Sequence, residues 1–391
     1  MDLLWRTPLA TLQLRHHLGS TVGALMGVSV AVLLMFMEEG FQHALYRSAV
    51  RLHRILAGDL IIAERSFASI TIPSGLPRRF AYRAASVPGV AAITLLYANT
   101  PLLRNPQTNS ARPIMLYGID PLRPAINPRG TANNLALLVL PSRALFDRLS
   151  RASFGPVVER AKSGEVEAQL SEDGNPDAPM IRIIGLFDLG PTITFDGTVL
   201  VSDLTFHTLT GQPLDRPTFG VVALARGAEP RTVKAEVQAR LGAGVRVLTK
   251  AELIALEIRF WDRETPIGYI LKLGLFIGFA VGLVFVYQVL QSIIGNNLPE
   301  YAVLKTVGYP DYFFIIVLFQ MATVIGTIAF IPGLVTAELL YAMAERMTGL
   351  DMSLQFIDAA LILAIVLVMC MVSALLAARR LQGADPISLF S

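Results

Sequence analysis

Four long apolar runs constrain this chain more than any other feature. The first covers Leu18–Met37, twenty residues without a charge. The others run from Leu273 to Leu298, from Tyr312 to Ala337 and from Ala359 to Ala378. An α-helix rises ~1.5 Å per residue and a bilayer core needs ~20 apolar residues, so each run is long enough to span one. Hydrophobic residues reach 53% and charged residues only 16%, against about 25% charged in ordinary soluble domains. The mean hydropathy is +0.54. The first run is too long for the apolar region of a cleaved signal peptide and no small-residue cleavage site follows it, so it reads as a retained anchor.

Lysine and arginine in short loops set orientation. Arg6 and Arg15 precede the first span, Lys305 lies between the second and third, and Arg379 and Arg380 follow the fourth. The loop from Glu338 to Asp358 carries Arg346 against Glu338, Glu345, Asp351 and Asp358. Both termini therefore read as cytoplasmic. Arg47, Arg51 and Arg54 conflict with this, but they lead into a long domain, where the rule weakens.

The fold class expected is membrane α-helical, with four transmembrane helices and an α+β extracytoplasmic domain inserted between the first and second. The expected division is 1–38 for the N-terminus and first span, 39–264 for the domain with its stalk, and 265–391 for the remaining spans. The domain opens on a helical pattern, Phe41 to Leu56, a stalk continuing the first span, with His43 and His53 read as surface groups. Strand patterns cover Asp59–Ala63, Val90–Tyr97, Pro113–Ile119, Ile181–Phe187 and Val245–Thr249, and helical patterns Ser142–Ser150 and Arg231–Leu241. The polar stretch Lys162–Pro179 reads as a mobile loop, and two lobes are compatible with the pattern. Trp261 and Arg263 suit an interfacial anchor before the second span. Cys370 is the single cysteine, so no intrachain disulfide or cysteine-based zinc site can hold the domain. Its ~220 residues suffice to build a core.

Glycine recurs every fourth residue at Gly19, Gly23 and Gly27, and again at Gly274, Gly278 and Gly282. Residues four apart share a helix face, and small residues there let two backbones approach. The two faces are expected to pack on each other or across a dimer interface.

Catalytic signatures are missing: the sequence has no G-x-x-x-x-G-K-[ST] loop for ATP, no H-E-x-x-H and no G-x-S-x-G. A net charge of +3 is too small to argue for nucleic acid. Glu38 and Glu39 read as interfacial solvated acids, and Lys272 at the start of the second span can snorkel. A proton- or ion-driven transporter usually keeps a charge within its spans, so the driving energy is expected to come from elsewhere.

Between the second and third spans, Asn297 can cap a helix, Pro299 suits its first position, Gly308 its stop, and Pro310 forbids continuation. A helix over Pro299–Val307 would be ~13 Å long, too short to cross a bilayer. Glu300, Val303, Leu304 and Val307 share one face of it, available to a partner.

Glu300-Tyr301-Ala302-Val303-Leu304-Lys305-Thr306-Val307-Gly308-Tyr309 resembles the coupling-helix motif of the FtsX/MacB superfamily of ABC permeases. More narrowly the chain resembles the DevC family. The resemblance rests on Leu33-Leu34-Met35-Phe36-Met37, Phe146-Asp147-Arg148 with Ser150-Arg151, and Phe154-Gly155-Pro156. Gly185-Leu186-Phe187 with Leu189-Gly190, Thr265-Pro266-Ile267-Gly268, Val286-Tyr287-Gln288, Met369-Cys370 and Ala384-Asp385-Pro386 extend it along the chain. Val303, Thr306 and Val307 depart from the family's more frequent Thr, Ala and Met.

The resemblance implies a non-catalytic, homodimeric permease of the inner membrane with its large domain in the periplasm. Two copies of a DevA-like ATPase would hold the ATP and magnesium, and this chain would carry no cofactor. A DevB- or HlyD-like adaptor and a TolC-like outer-membrane channel would complete an exporter of glycolipid, lipid or similar hydrophobic cargo. ATP-driven motion would pass through the coupling helix (299–308) and stalk to the periplasmic domain. Glu300, Tyr301, Val303, Leu304, Lys305 and Gly308 are the residues expected at the ATPase, with Asp385 and Pro386 fixing the tail beside it. Two alternatives share the four spans: an FtsX-like scaffold regulating cell-wall hydrolases, and a lipoprotein-releasing permease.

Overall fold

The structure, a computed structural model, describes residues 9–16, 18–72, 74–105, 107–131, 134–172 and 178–382. Helices α1 (Leu9–His16), α2 (Leu18–Ala49) and α3 (Arg51–Ile55) come first. Among the strands lie α4 (Arg79–Ala85), α5 (Val157–Ser163), α6 (Asp203–Thr210) and α7 (Pro230–Leu241). Next are α8 (Lys250–Arg259), α9 (Pro266–Asn296), α10 (Leu298–Thr306), α11 (Asp311–Thr348) and α12 (Phe356–Gln382). Among the described residues, four helical stretches are long and apolar enough to cross a membrane: Thr21–Ala49, Pro266–Asn296, Tyr312–Thr348 and Phe356–Arg379.

The chain divides into two compact units. One comprises Met1–His43, Ile267–Ala344 and Met352–Ser391, the other Ala44–Pro266 and Glu345–Asp351. Assigning Glu345–Asp351 to the second unit is not foreseeable from local sequence.

In the helical unit, Pro332 lies inside the continuous helix α11. A proline there removes a donor to the carbonyl four residues back. The Ser29 hydroxyl lies 2.9 Å from the neighbouring Ala329 carbonyl oxygen, which supplies a polar contact where the α11 ladder is weakened.

The second unit is built on one eleven-stranded sheet. Its strands are β1 (Leu60–Glu64), β2 (Val90–Asn99), β3 (Leu102–Arg104), β4 (Ala111–Pro113), β5 (Met115–Ile119) and β6 (Arg143–Asp147). They continue with β7 (Val166–Ser171), β8 (Met180–Phe187), β9 (Thr198–Ser202), β10 (Phe219–Leu224) and β11 (Val245–Thr249). The spatial order is β11-β1-β10-β2-β5-β9-β6-β8-β7-β3-β4. β5 runs parallel to β9 and β6 parallel to β8; the other pairings are antiparallel.

Helices cover both faces of the β1 region, so its side chains are buried alternately on each. Leu60 and Ile62 pack with Ala84 of α4 and Val233, Val237 and Leu241 of α7. Ile61 packs on the opposite side with Leu52 of α3 and Leu253 of α8. Full burial of each such aliphatic side chain contributes about 1.5–3 kcal/mol. A further cluster joins Phe146, Phe154, Leu170, Ile183 and Phe206. Gly118 in β5 allows α6 to approach: a Cβ there would stand 2.6 Å from the Phe206 Cβ.

Two local expectations are corrected. The stretch Ser142–Ser150 is not helical; Arg143–Asp147 is the strand β6, enclosed between β8 and β9. Ala144, Leu145, Phe146 and Asp147 are all buried, and a short run of that kind has no period to distinguish it from a helix. Within Lys162–Pro179, Val166–Ser171 is the strand β7, with Val166, Ala168 and Leu170 buried and Glu167 exposed. Its alternation is that of a half-buried strand. All strands of the domain join in one continuous sheet.

Candidate functional site

α10 is a nine-residue helix set between two long apolar ones. Pro299 lies in its first turn, where its missing N–H costs nothing. Asn297 does not cap it: the Asn297 Nδ2 donates back to the Ile293 carbonyl at 2.8 Å, closing α9 instead. Gly308 stops the following turn at φ +100°, in the region where glycine is favoured.

Tyr301 faces inward. Its ring is 4% exposed, its hydroxyl donates to Gln13 Oε1 at 2.8 Å, and its edge meets Phe314 at 5.5 Å. Burial pushes its hydroxyl pKa up to about 12, against the Gln13 hydrogen bond. Tyr301 therefore anchors α10 to α1 and α11 and is withdrawn from the surface it was expected to share. Glu300, Val303, Thr306, Val307 and Gly308 are exposed, and Leu304 and Lys305 half-buried. Val303 and Val307 are 54% and 71% exposed and lie one helical turn apart, an apolar strip beside Glu300. Asp385 and Pro386 lie outside the described residues.

The glycines divide. Gly27 abuts Phe285, Gly278 abuts Met35 and the Ala31 carbonyl, Gly282 abuts Met369 and Ala31, and Gly274 abuts the Glu38 carboxylate. These are close contacts of α2 with α9, joined at Gly282 by α12. Among the described residues, nothing lies within 4 Å of where a side chain would begin at Gly19 or Gly23.

In the sheet unit, arginines hold the turn at Glu345–Asp351. Arg47 Nη1 donates to Asp351 Oδ1 at 3.1 Å. Arg51 donates to the Pro191 carbonyl at 2.9 Å and the Gly349 carbonyl at 3.3 Å. Arg151 Nε donates to the Thr348 carbonyl at 3.0 Å while its Nη1 pairs with Asp196 at 2.6 Å. Arg47 and Arg51 thus both have structural partners, in the Glu345–Asp351 turn and at Pro191. Asp147, fully buried, accepts from the backbone N–H groups of Leu149, Leu189 and Gly190 at 3.1, 3.0 and 2.8 Å. Burial raises its pKa, opposed by those three bonds and by Arg51. Burial lowers the Arg51 pKa, opposed by Asp147 and Asp351. The separate motif pieces Asp147, Arg151 and Leu189-Gly190 are brought together here.

Replacing Arg151 by alanine is expected to loosen this turn. A hydrogen bond from a charged donor is worth about 1.5–3 kcal/mol, so amide exchange over residues 345–351 should accelerate by about tenfold or more. Unchanged protection there would show that Arg151 is not what holds the turn.

His53 and Trp261 are corrections. His53 is wholly buried and Trp261 6% exposed; neither is a surface or interfacial group in this unit. Both meet Glu257, which is also wholly buried. Glu257 Oε1 accepts from the Ser69 hydroxyl at 2.6 Å and from Trp261 Nε1 at 3.0 Å. Its Oε2 accepts from the Ile70 N–H at 3.1 Å and lies 3.4 Å from His53 Nε2. Tyr117 is pushed up in pKa by burial and then by the Glu257 charge. A cavity of about 20 Å³ beside these groups, lined by Arg51, Thr71, Tyr117 and Glu257, has room for about one water. The cluster ties α3 to α8, where the chain enters and leaves the sheet.

No curated protein matches the chain. Among solved structures, the extracellular domain of the noncanonic ABC-type transporter YknZ from Gram-positive bacteria aligns at 11% identity and TM-score 0.34. That alignment covers 49% of this chain and 98% of that one. The periplasmic region of MacB from Actinobacillus actinomycetemcomitans gives 12% and 0.33, over 50% and 91%. A domain of a putative permease protein from Porphyromonas gingivalis gives 15% and 0.31, over 51% and 88%. Residues 272–386, which contain α10, α11, α12 and most of α9, match the model of the FtsX-like permease C-terminal family.

Proposed function

We propose that this chain is the permease subunit of an ABC-type exporter whose ATPase is a separate protein. The observation that carries the reading is α10. A short helix between two candidate spans, inside the FtsX-like match, turns an exposed Glu300-Val303-Val307 strip outward while Tyr301 holds it from behind. The strip is the docking surface for the ATPase, which supplies ATP and magnesium. In this reading α10 and both termini are cytoplasmic and the sheet unit periplasmic, in the inner membrane; the short-loop lysine and arginine support that orientation. The chain works as a homodimer, with the Gly19–Gly23 face of α2 available to pairing. A DevC-like assembly with a DevB/HlyD-like adaptor and a TolC-like channel exports a lipid or glycolipid cargo. ATP-driven movement passes from α10 through the long helices to the arginine-held turn, whose residues belong to the sheet unit.

The test is co-purification from native membranes in mild detergent, with mass spectrometry of bound proteins. A P-loop ATPase together with a periplasmic adaptor is the expected result. An ATPase with a cell-wall hydrolase would replace the exporter by a regulatory scaffold, and recovery of no ATPase would refute the permease reading.

A further inference from the structure

We infer that Glu39, His43 and Asp358 form a binding site for a divalent transition-metal ion. Glu39 and His43 lie one turn apart on α2, and Asp358 lies in the first turn of α12; all three belong to the helical unit. His43 Nε2 is 3.3 Å from Glu39 Oε1, and His43 Nδ1 is 3.2 Å from Asp358 Oδ2. Glu39, read from the sequence as a solvated acid without a partner, is therefore paired. One nitrogen and one oxygen from each acid lie within 4.8 Å of one another.

The charges call for a cation. A neutral imidazole carries one N–H, so one of its two nitrogens presents a lone pair to a carboxylate oxygen. A second proton removes that clash but leaves two carboxylates against one positive charge. Glu39 and Asp358 have side chains only 14% and 9% exposed, and net charge so withdrawn from water is costly. A divalent ion with neutral imidazole balances both acids.

The donor set suits the ion. One imidazole and two carboxylates fit Zn²⁺, Mn²⁺ or Fe²⁺ better than oxygen-seeking Ca²⁺ or Mg²⁺. With bonds of about 2.1 Å, a tetrahedral zinc site has ligand-to-ligand edges of about 3.4 Å. Small side-chain rotations bring three groups within 4.8 Å to that spacing, with water completing the shell. His43, 30% exposed, gives access. The ion would fasten α2 to α12. This inference does not depend on the exporter reading.

The experiment uses the full chain in detergent, stripped with chelator and titrated with Zn²⁺ by calorimetry, with bound metal counted by plasma mass spectrometry. One Zn²⁺ per chain is expected. Changing a mere outer-sphere partner costs 10–100-fold in affinity, so His43→Ala and Asp358→Asn should each weaken binding by at least about tenfold. X-ray absorption of the wild-type zinc complex, which does not depend on the variants folding, should read one imidazole and oxygen donors. Substoichiometric binding, equal affinity in His43→Ala, or an absorption spectrum without imidazole would each overturn the site and leave His43 as a proton-bearing partner of two acids.

Discussion

On the proposed function, aspartate at both Val303 and Val307 is expected to prevent an ATPase from docking on α10 while leaving the helical unit folded. Both side chains are mostly exposed, and valine and aspartate have similar helix propensity, so α10 itself should persist. Apolar residues at the centre of an interface are worth about 2 kcal/mol or more when lost, and a charge placed there adds a desolvation cost. That corresponds to a fall in affinity of about thirtyfold or more. The readout is ATPase recovered with the tagged permease, alongside stimulation of its hydrolysis. Leu304→Asp should act in the same direction, but Leu304 is half-buried, so the more exposed pair separates docking from folding. Full ATPase recovery with the double variant would remove α10 from the interface.

Replacing Glu257 by alanine should be the most destabilising single change in the sheet unit. It deletes the acceptor for Ser69, Ile70 and Trp261 at once and strands His53 beside a void. Breaking a buried charge cluster from one side costs about 3–5 kcal/mol. For a unit of this size each kcal/mol shifts the midpoint by about 2–4 °C, so a fall of about 10 °C is expected. Thermal unfolding followed by circular dichroism in the β-sheet region reads it. Glu257→Gln keeps the volume and an acceptor oxygen, and should recover most of the loss. If alanine and glutamine lower the midpoint equally, charge rather than hydrogen bonding is what the cluster requires.

The spans were legible because length and apolarity suffice to define them, yet the helices run past the apolar runs. α2 continues through Glu38, Glu39 and Arg47 to Ala49, as the helical stalk pattern predicts, since Glu, Ala and Arg are good helix formers. The strand at Val245–Thr249 was legible to the residue from its β-branched pattern and the glycines before it. β6 was not, because Ala144–Asp147 is enclosed by two strands that lie far away in sequence. β7 was masked by Glu167 and Gln169, polar residues on its outer face. In the site, α10 followed from Pro299 and Gly308, while the inward turn of Tyr301 depended on Gln13, outside any local window. Arg47, Arg51 and Arg151 carried no sign that they converge on Thr348–Asp351, and His53 and Trp261 none that Glu257 would enclose them. Local pattern encodes period and punctuation; it does not encode which distant element supplies the opposite wall.

The position of β1 sets the order in which the sheet unit can fold. Its neighbours on either side are β10 and β11, so Leu60 pairs with both Val222 and Thr249. The earliest strand to be synthesised thus finds its partners only when the last two have emerged. Pairings between such remote segments are slow to form, because the loop entropy is lost before the contacts reward it. Until then Leu60–Ala63, buried in the finished sheet, is an uncovered apolar strand with open hydrogen-bonding edges, the kind of segment that aggregates. The chain's one cysteine, Cys370, lies in α12, so no disulfide can fasten an intermediate. The β1 pairings can therefore be completed only after the chain has been synthesised through Thr249.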